Sequence, residues 1–320
     1  MTRAFIFPGQ GSQQVGMGKA LAEAFAPARQ TFEEVDDALS QKLSRLMWEG
    51  PEADLTLTEN AQPAIMAASM AIVRTLQRDG GLDVGRHARL VAGHSLGEYT
   101  ALCAAGAFTL SDAARLLKTR GRAMQAAVPV GEGAMSALLG AEIDLAEAAA
   151  KEAVACAPPT EENPVCVVAN DNAPGQVVIS GTTAAVERAG EIARAKGAKR
   201  AMMLNVSAPF HSPLMQPAAD RMREALAAVA IRPPAAPVVA NVTAGEIHEP
   251  ETIRKLLVEQ ITGRVRWRES VLSFRHLGAG TTVEFGGNKV LTGMVKRTDR
   301  ELETITLDTP SDIEAFAKKL

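Results

Sequence analysis

Residues 89–92 read RLVA, a short apolar run, and the segment GHSLG follows at once, ahead of an alanine-rich stretch of helical character. A strand that turns sharply into a helix through a glycine-flanked serine restricts the fold more than any other segment of the chain. It needs a sheet edge above which the serine projects and a helix that packs back on that sheet. A Gly-x-Ser-x-Gly pattern alone is weak, because average usage gives about 0.1 chance occurrences in a chain of this length. The flanking strand and helix single out Ser95 as a nucleophile on a tight bend. The first turn of such a helix offers N–H groups and partial positive charge where an oxyanion would form. A plain loop serine remains the alternative at this point.

The rest of the chain alternates in the same way, which gives an α/β class. Residues 4–7 form a strand stopped by Pro8 and the glycines of GQGSQ, and residues 61–76 carry apolar positions at helical spacing. Residues 111–128 read as a helix with Ser111 as its N-cap. From 129 to 204 the order becomes strand (134–139), helix (145–155), strand (165–169), strand (177–180), helix (184–195), strand (201–206). That βαββαβ order is the ferredoxin-like pattern. The chain therefore reads as a large α/β unit, residues 1–128 and 205–320, with a small unit, residues 129–204, inserted. A helix over 214–229, strands over 238–241 and 282–285 and a helix from Thr252 complete the large unit.

A serine hydroxyl needs a base, usually histidine. Of five histidines, His94 adjoins the serine, so its side chain diverges at a bend. His87 and His248 lie in polar stretches, and His276 lies at a helical end. His211 sits in VSAPFHSPLM, between a strand and a helix opened by Ser212-Pro213. That loop faces the serine across the sheet edge, although a structural role fits the sequence as well. GQGSQ lacks the GK[ST] of a phosphate loop. It suits a close backbone approach to Ser95, with the Gln10 and Leu96 amides as oxyanion donors, or it is simply a tight turn.

Arg120 carries the clue to substrate. On a helical projection it falls at the centre of the apolar stripe formed by Ala113, Leu116, Leu117, Gly121, Met124, Ala127 and Val128. A guanidinium facing a core needs an anion. Either an internal Asp or Glu supplies it, or a substrate carboxylate does. The net charge of −3 gives no global pull toward nucleic acid or anionic membrane. Cys103, Cys156 and Cys166 form no CxxC and read as small buried hydrophobes in a reducing compartment. The apolar stretch before Pro8 is too short for a signal-peptide core, and no run approaches a membrane span, so the expected location is cytoplasmic.

FPGQGSQ, AQPAI, GHSLGEY, TRGRAMQ, GQVVISG, APFHSPLM, VEQITGRVRW and GGNKVLTGMVKR occur in order across about 290 residues. Together they resemble the malonyl-CoA:acyl carrier protein transacylase family. The resemblance implies an α/β-hydrolase-like parallel-sheet core with an inserted ferredoxin-like subdomain. It implies Ser95 as acyl-accepting nucleophile, His211 as base and the Gln260 backbone carbonyl as the group that orients His211. It further implies Gln10 and Leu96 amides at the oxyanion, Arg120 on the malonyl carboxylate, and Phe210 and Met124 in acyl selectivity. Arg264, in GRVRW, departs from the proline the family commonly has before that valine.

By the same resemblance the substrates are malonyl-CoA and the phosphopantetheine thiol of acyl carrier protein, in fatty acid biosynthesis. No resident cofactor, metal, nucleic acid or membrane is expected, and a monomer is the default. A serine thioesterase or other hydrolase using the same Ser-His pair is the rival reading. A carrier protein is typically acidic, so residues 194–200 and the trio Arg115, Lys118 and Arg122 are the candidate basic surfaces.

Overall fold

Ala4, Phe5, Ile6 and Phe7 all have no exposed surface, because strand β1 (Arg3–Phe7) lies inside a sheet covered on both faces. The computed structural model describes residues 2–206 and 208–320; Met1 and Ser207, the latter within VSAPFHSPLM, lie outside the described residues. The other strands are β2 (Ala88–Gly93), β3 (Gly133–Leu139), β4 (Cys166–Ala173), β5 (Gln176–Thr182), β6 (Arg200–Met203), β7 (Val238–Val239), β8 (Glu246–Ile247), β9 (Thr281–Phe285) and β10 (Glu303–Leu307).

Six of them form one sheet in the order β10-β9-β1-β2-β7-β8. Five strands run parallel, and edge strand β8 is antiparallel to β7. This corrects the expectation of an all-parallel core. The link from β7 to β8 is too short for a crossover, so the chain turns straight back as a hairpin. Side chains alternate across β1. Phe5 and Phe7 meet Phe285 at 5.1 and 5.2 Å on one face. Ala4 and Ile6 join Leu90, Trp267 and Phe274 on the other.

The first face is covered by the helices Thr58–Asp79 and Leu96–Ala104, and the helix Leu110–Ala126 packs against both. That last helix starts earlier than its sequence suggests. Thr109, not Ser111, is the N-cap: its hydroxyl accepts the Asp112 N–H at 3.1 Å, while Ser111 lies inside the helix and donates to Glu34. β10 was not anticipated from sequence; its partly exposed ETITL run lacks the apolar density of the central strands.

The remaining four strands make a separate antiparallel sheet in the order β4-β5-β3-β6, backed by helices Ile143–Ala155 and Thr183–Ala195. A short strap joins the two sheets: Val265 N–H donates to Ala169 O at 2.8 Å, and Asp171 N–H donates to Val265 O at 3.0 Å. Arg264 pairs with Glu147 on the helix Ile143–Ala155, and Arg268 pairs with Asp171 on β4. Cys103 and Cys166 are buried, and burial pushes both thiols up to about 12; Cys156 is exposed, against the expectation for it.

Candidate active site

β2 ends at Gly93, and the helix Leu96–Ala104 begins directly after Ser95, which holds φ 53° and ψ −109°. That is a costly conformation for a residue with a Cβ. The flanking glycines are there for space. A Cβ on Gly93 would stand 1.9 Å from the Gly97 carbonyl, and one on Gly97 would stand 2.3 Å from Phe7 O. His94 diverges as its position demands; its Nε2 lies 2.8 Å from Asn172 Oδ1.

His211 also has positive φ, 55°, and is 3% exposed. Its Nε2 lies 2.8 Å from Ser95 Oγ, and its Nδ1 lies 2.8 Å from Gln260 O and 3.1 Å from Gly263 O. Carbonyl oxygens only accept, so Nδ1 carries the proton and Nε2 is free to accept the serine hydroxyl's. Burial first, and the Arg120 charge second, push the imidazole down to about 3. It is neutral at pH 7, the form a general base requires. The following Ser212-Pro213 opens a 3-10 turn, Pro213–Met215, before the helix Gln216–Ala227; Ser212 Oγ donates to Pro209 O instead of capping.

Arg120 is 1% exposed and points at the same oxygen. Its Nη2 donates to Ser95 Oγ at 3.1 Å and to Gln260 Oε1 at 2.9 Å; Nη1 donates to Gln62 Oε1 at 2.8 Å. The guanidinium lies over the Tyr99 ring at 5.6 Å, and Nε is buried without a partner. These partners are neutral, and among the described residues no carboxylate stands within ion-pair distance of it. The acid whose charge acts on it, Glu98, is itself buried and pushed up to about 7 by that burial. A buried cation with neutral partners is poised for an incoming anion.

The Ser95 hydroxyl opens into a cavity of about 340 Å3 between the two sheets. Gln10, Leu96, Phe210 and Met124 line it, together with Met135 and Val178 of the four-stranded sheet. Gln62 bridges the wall by donating to Met124 Sδ at 3.8 Å. Among the described residues no cluster of His, Cys, Asp and Glu could hold a metal ion, and no helix is long and apolar enough to cross a membrane.

One expected surface is corrected. Lys118 is buried, with Nζ 2.8 Å from Glu59 Oε2, and Arg122 Nε meets the same oxygen at 2.8 Å. Arg115 pairs with Asp112 at 3.5 Å. Periodicity placed these cations on one helix but carried no sign of Glu59 on the neighbouring one. In the segment 194–200, Arg194, Lys196, Lys199 and Arg200 are exposed, and Lys196 pairs with Glu152.

Sequence reasoning passed over Gln62, Glu98, Asn172, Asn241 and the Gln260 side chain. Gln62 and Glu98 sit in the quoted AQPAI and GHSLGEY segments, so their place in ordered motifs was a usable signal. Asn241 follows a two-residue strand and carried none.

The family model described as an acyl transferase domain matches residues 4–312. A Bacillus subtilis (strain 168) malonyl CoA-acyl carrier protein transacylase is 45% identical, over 99% of this chain and 96% of that protein. A crystal structure of an acyl-carrier-protein-S-malonyltransferase from Bartonella henselae superposes with a TM-score of 0.95 at 52% identity, covering 100% of this chain and 99% of that one. A malonyl-transacylase in complex with its type II PKS acyl-carrier protein superposes at 0.94 with 41% identity, covering all of both chains.

Proposed function

The chain belongs to the malonyl-CoA:acyl carrier protein transacylase family, and from that premise we propose which residues carry the reaction and how. It is an acyltransferase that moves a malonyl group from malonyl-CoA to acyl carrier protein, supplying fatty acid synthesis.

In the proposed cycle Ser95 Oγ attacks the thioester carbonyl of malonyl-CoA while its proton passes to His211 Nε2. The Gln10 and Leu96 amides donate to the oxyanion. Collapse breaks the carbon–sulfur bond, and CoA leaves as a thiol with the proton from His211. The phosphopantetheine thiol of the carrier protein then gives its proton to His211 and attacks the malonyl–Ser95 ester. Collapse returns the proton to Ser95. Gln260 O keeps Nδ1–H in place throughout, so no acid partner is required. Arg120 exchanges neutral partners for the malonyl carboxylate and fixes the acyl group in both halves. Phe210 and Met124 close the cavity around it.

The observation that carries this reading is one oxygen with two neighbours: Ser95 Oγ lies within hydrogen-bond distance of both His211 Nε2 and Arg120 Nη2. The test is CoA release with and without carrier protein. A transferase releases CoA continuously only when the acceptor is present. Sustained release without acceptor would move the hydrolase reading forward.

Residues 129–204 are read as a ferredoxin-like subdomain inserted between 1–128 and 205–320. The support is the antiparallel order β4-β5-β3-β6, with a helix after β3 and after β5. For the carrier protein, the exposed cations of 194–200 lead into Met202 and Met203 on edge strand β6, and Leu204 lines the cavity. We take this basic and apolar surface beside the mouth as the one that receives the carrier protein. The enzyme is taken to act as a soluble monomer with no resident cofactor.

A further inference from the structure

Ser95 pays for its strained backbone through contacts beneath the bend. Its N–H donates to Asn241 Oδ1 at 2.7 Å, and its carbonyl accepts from Gln260 Nε2 at 3.0 Å. Asn241 Nδ2 in turn donates to Gly93 O at 2.7 Å, which anchors the last residue of β2. Both peptide planes of the nucleophile are thus pinned by side chains from outside the bend. Beneath them, Glu98 Oε2 accepts from Asn241 N–H at 3.0 Å and from Gln260 Nε2 at 2.8 Å. Asn241 and Gln260 are buried, as is Glu98 at 1% exposure. Every bond that Glu98 accepts in this network goes to Oε2, while its Oε1 is buried without a partner.

We propose that Asn241, backed by Glu98 and the Gln260 side chain, is a positioning residue that holds Ser95 in its reactive conformation. The proposal rests on Ser95 being the nucleophile. Asn241 touches neither substrate nor the reacting oxygen; it acts through the Ser95 backbone. Without its amide oxygen the Ser95 N–H loses its partner and the bend relaxes toward an ordinary φ, which swings Oγ away from His211 Nε2. Displacement of about 1 Å at a reacting atom costs on the order of 100-fold in rate. Gln260 extends the same clasp, since its backbone carbonyl orients His211 and its Oε1 accepts from Arg120.

The test measures Ser95 reactivity separately from malonyl recognition. Phenylmethylsulfonyl fluoride forms a sulfonyl–Oγ bond and expels fluoride while the hydroxyl proton passes to His211 Nε2, with no carboxylate for Arg120 to hold. Asn241→Ala is expected to slow both this labelling and the maximal rate of malonylation by about 10- to 100-fold, leaving the KM for malonyl-CoA within about threefold. Asn241→Asp keeps the acceptor oxygen and, in its protonated form, an O–H donor for Gly93 O; assayed at pH 6, it is expected to recover labelling to within about fivefold of wild type. A variant that merely loosens the fold would lower Tm and weaken malonyl-CoA binding together with reactivity, and that pattern would overturn the proposal. So would unchanged labelling of Asn241→Ala, or an Asp variant no better than Ala. Hydrogen exchange of wild-type protein needs no variant: the Ser95 amide is expected to be strongly protected, and exchange at the rate of a free amide would also overturn it. Absence of any wild-type label at Ser95 would instead remove the nucleophile reading itself.

Discussion

His211 Nε2 stands 2.8 Å from Ser95 Oγ although the two residues are 116 positions apart, and both hold positive φ, 55° and 53°. Both residues thus hold a backbone conformation that is costly for a side chain with a Cβ, and they meet at one hydrogen bond. Burial keeps the imidazole neutral, and two carbonyls fix its tautomer.

That neutrality sets the pH dependence. Because the folded imidazole is pushed down to about 3 from an ordinary 6.5, the base is available throughout pH 5 to 8. The rate of malonyl-enzyme formation at low malonyl-CoA should therefore show no acid limb from His211 near 6.5. The stability consequence has the opposite visibility. As pH falls from 6.5 toward 3 the unfolded chain takes up a proton that the folded one refuses, so folding stability is lost. His211→Gln should resist acid unfolding better than wild type in denaturant titrations across that window.

Arg120 has three neutral neighbours and one unpartnered nitrogen. Arg120→Ala should lower kcat/KM for malonyl-CoA by about 100- to 1,000-fold, as expected for losing a charge-assisted bidentate contact in a dry site. Turnover of an uncharged acyl-CoA should fall by less than about tenfold, so the ratio of the two is the diagnostic quantity. An unchanged ratio would contradict the carboxylate role.

Gly97 faces Phe7 O and Pro8 O, both backbone atoms that cannot swing aside. Gly97→Ala should destabilise the fold by about 3 kcal/mol, the upper end of overpacking costs. Thermal unfolding followed by circular dichroism reads this directly.

The carrier-protein half-reaction should slow with added salt if the exposed cations of 194–200 guide an acidic partner. Replacing Arg194, Lys199 and Arg200 with Gln should flatten that salt dependence without altering the malonyl-CoA half-reaction. A slope unchanged by the triple replacement would place docking elsewhere.

Much of this was legible in the chain because local patterns carry it. The strand–serine–helix order located Ser95, and helical phase put Arg120 on a buried face. Alternation of elements gave the α/β class. What escaped depends on neighbours distant in sequence. Lys118 shares a helix with Arg120, yet its charge is spent on Glu59 across a helix interface. Thr109 displaced Ser111 as cap because a hydroxyl two residues earlier met an aspartate at the right offset. Asn241 and the Gln260 side chain lie far along the chain from Ser95, and no periodicity links them to it. Edge strands β8 and β10 are short or half exposed and lack the apolar density that identified β1 and β2.

The most direct measurement is the intact mass of the protein after mixing with malonyl-CoA, followed by peptide mapping. The account predicts one malonyl adduct, confined to the peptide containing Ser95, absent from Ser95→Ala, and discharged on adding carrier protein with its phosphopantetheine arm. A stable adduct on the Ser95→Ala protein, or one mapped to another peptide, would contradict it.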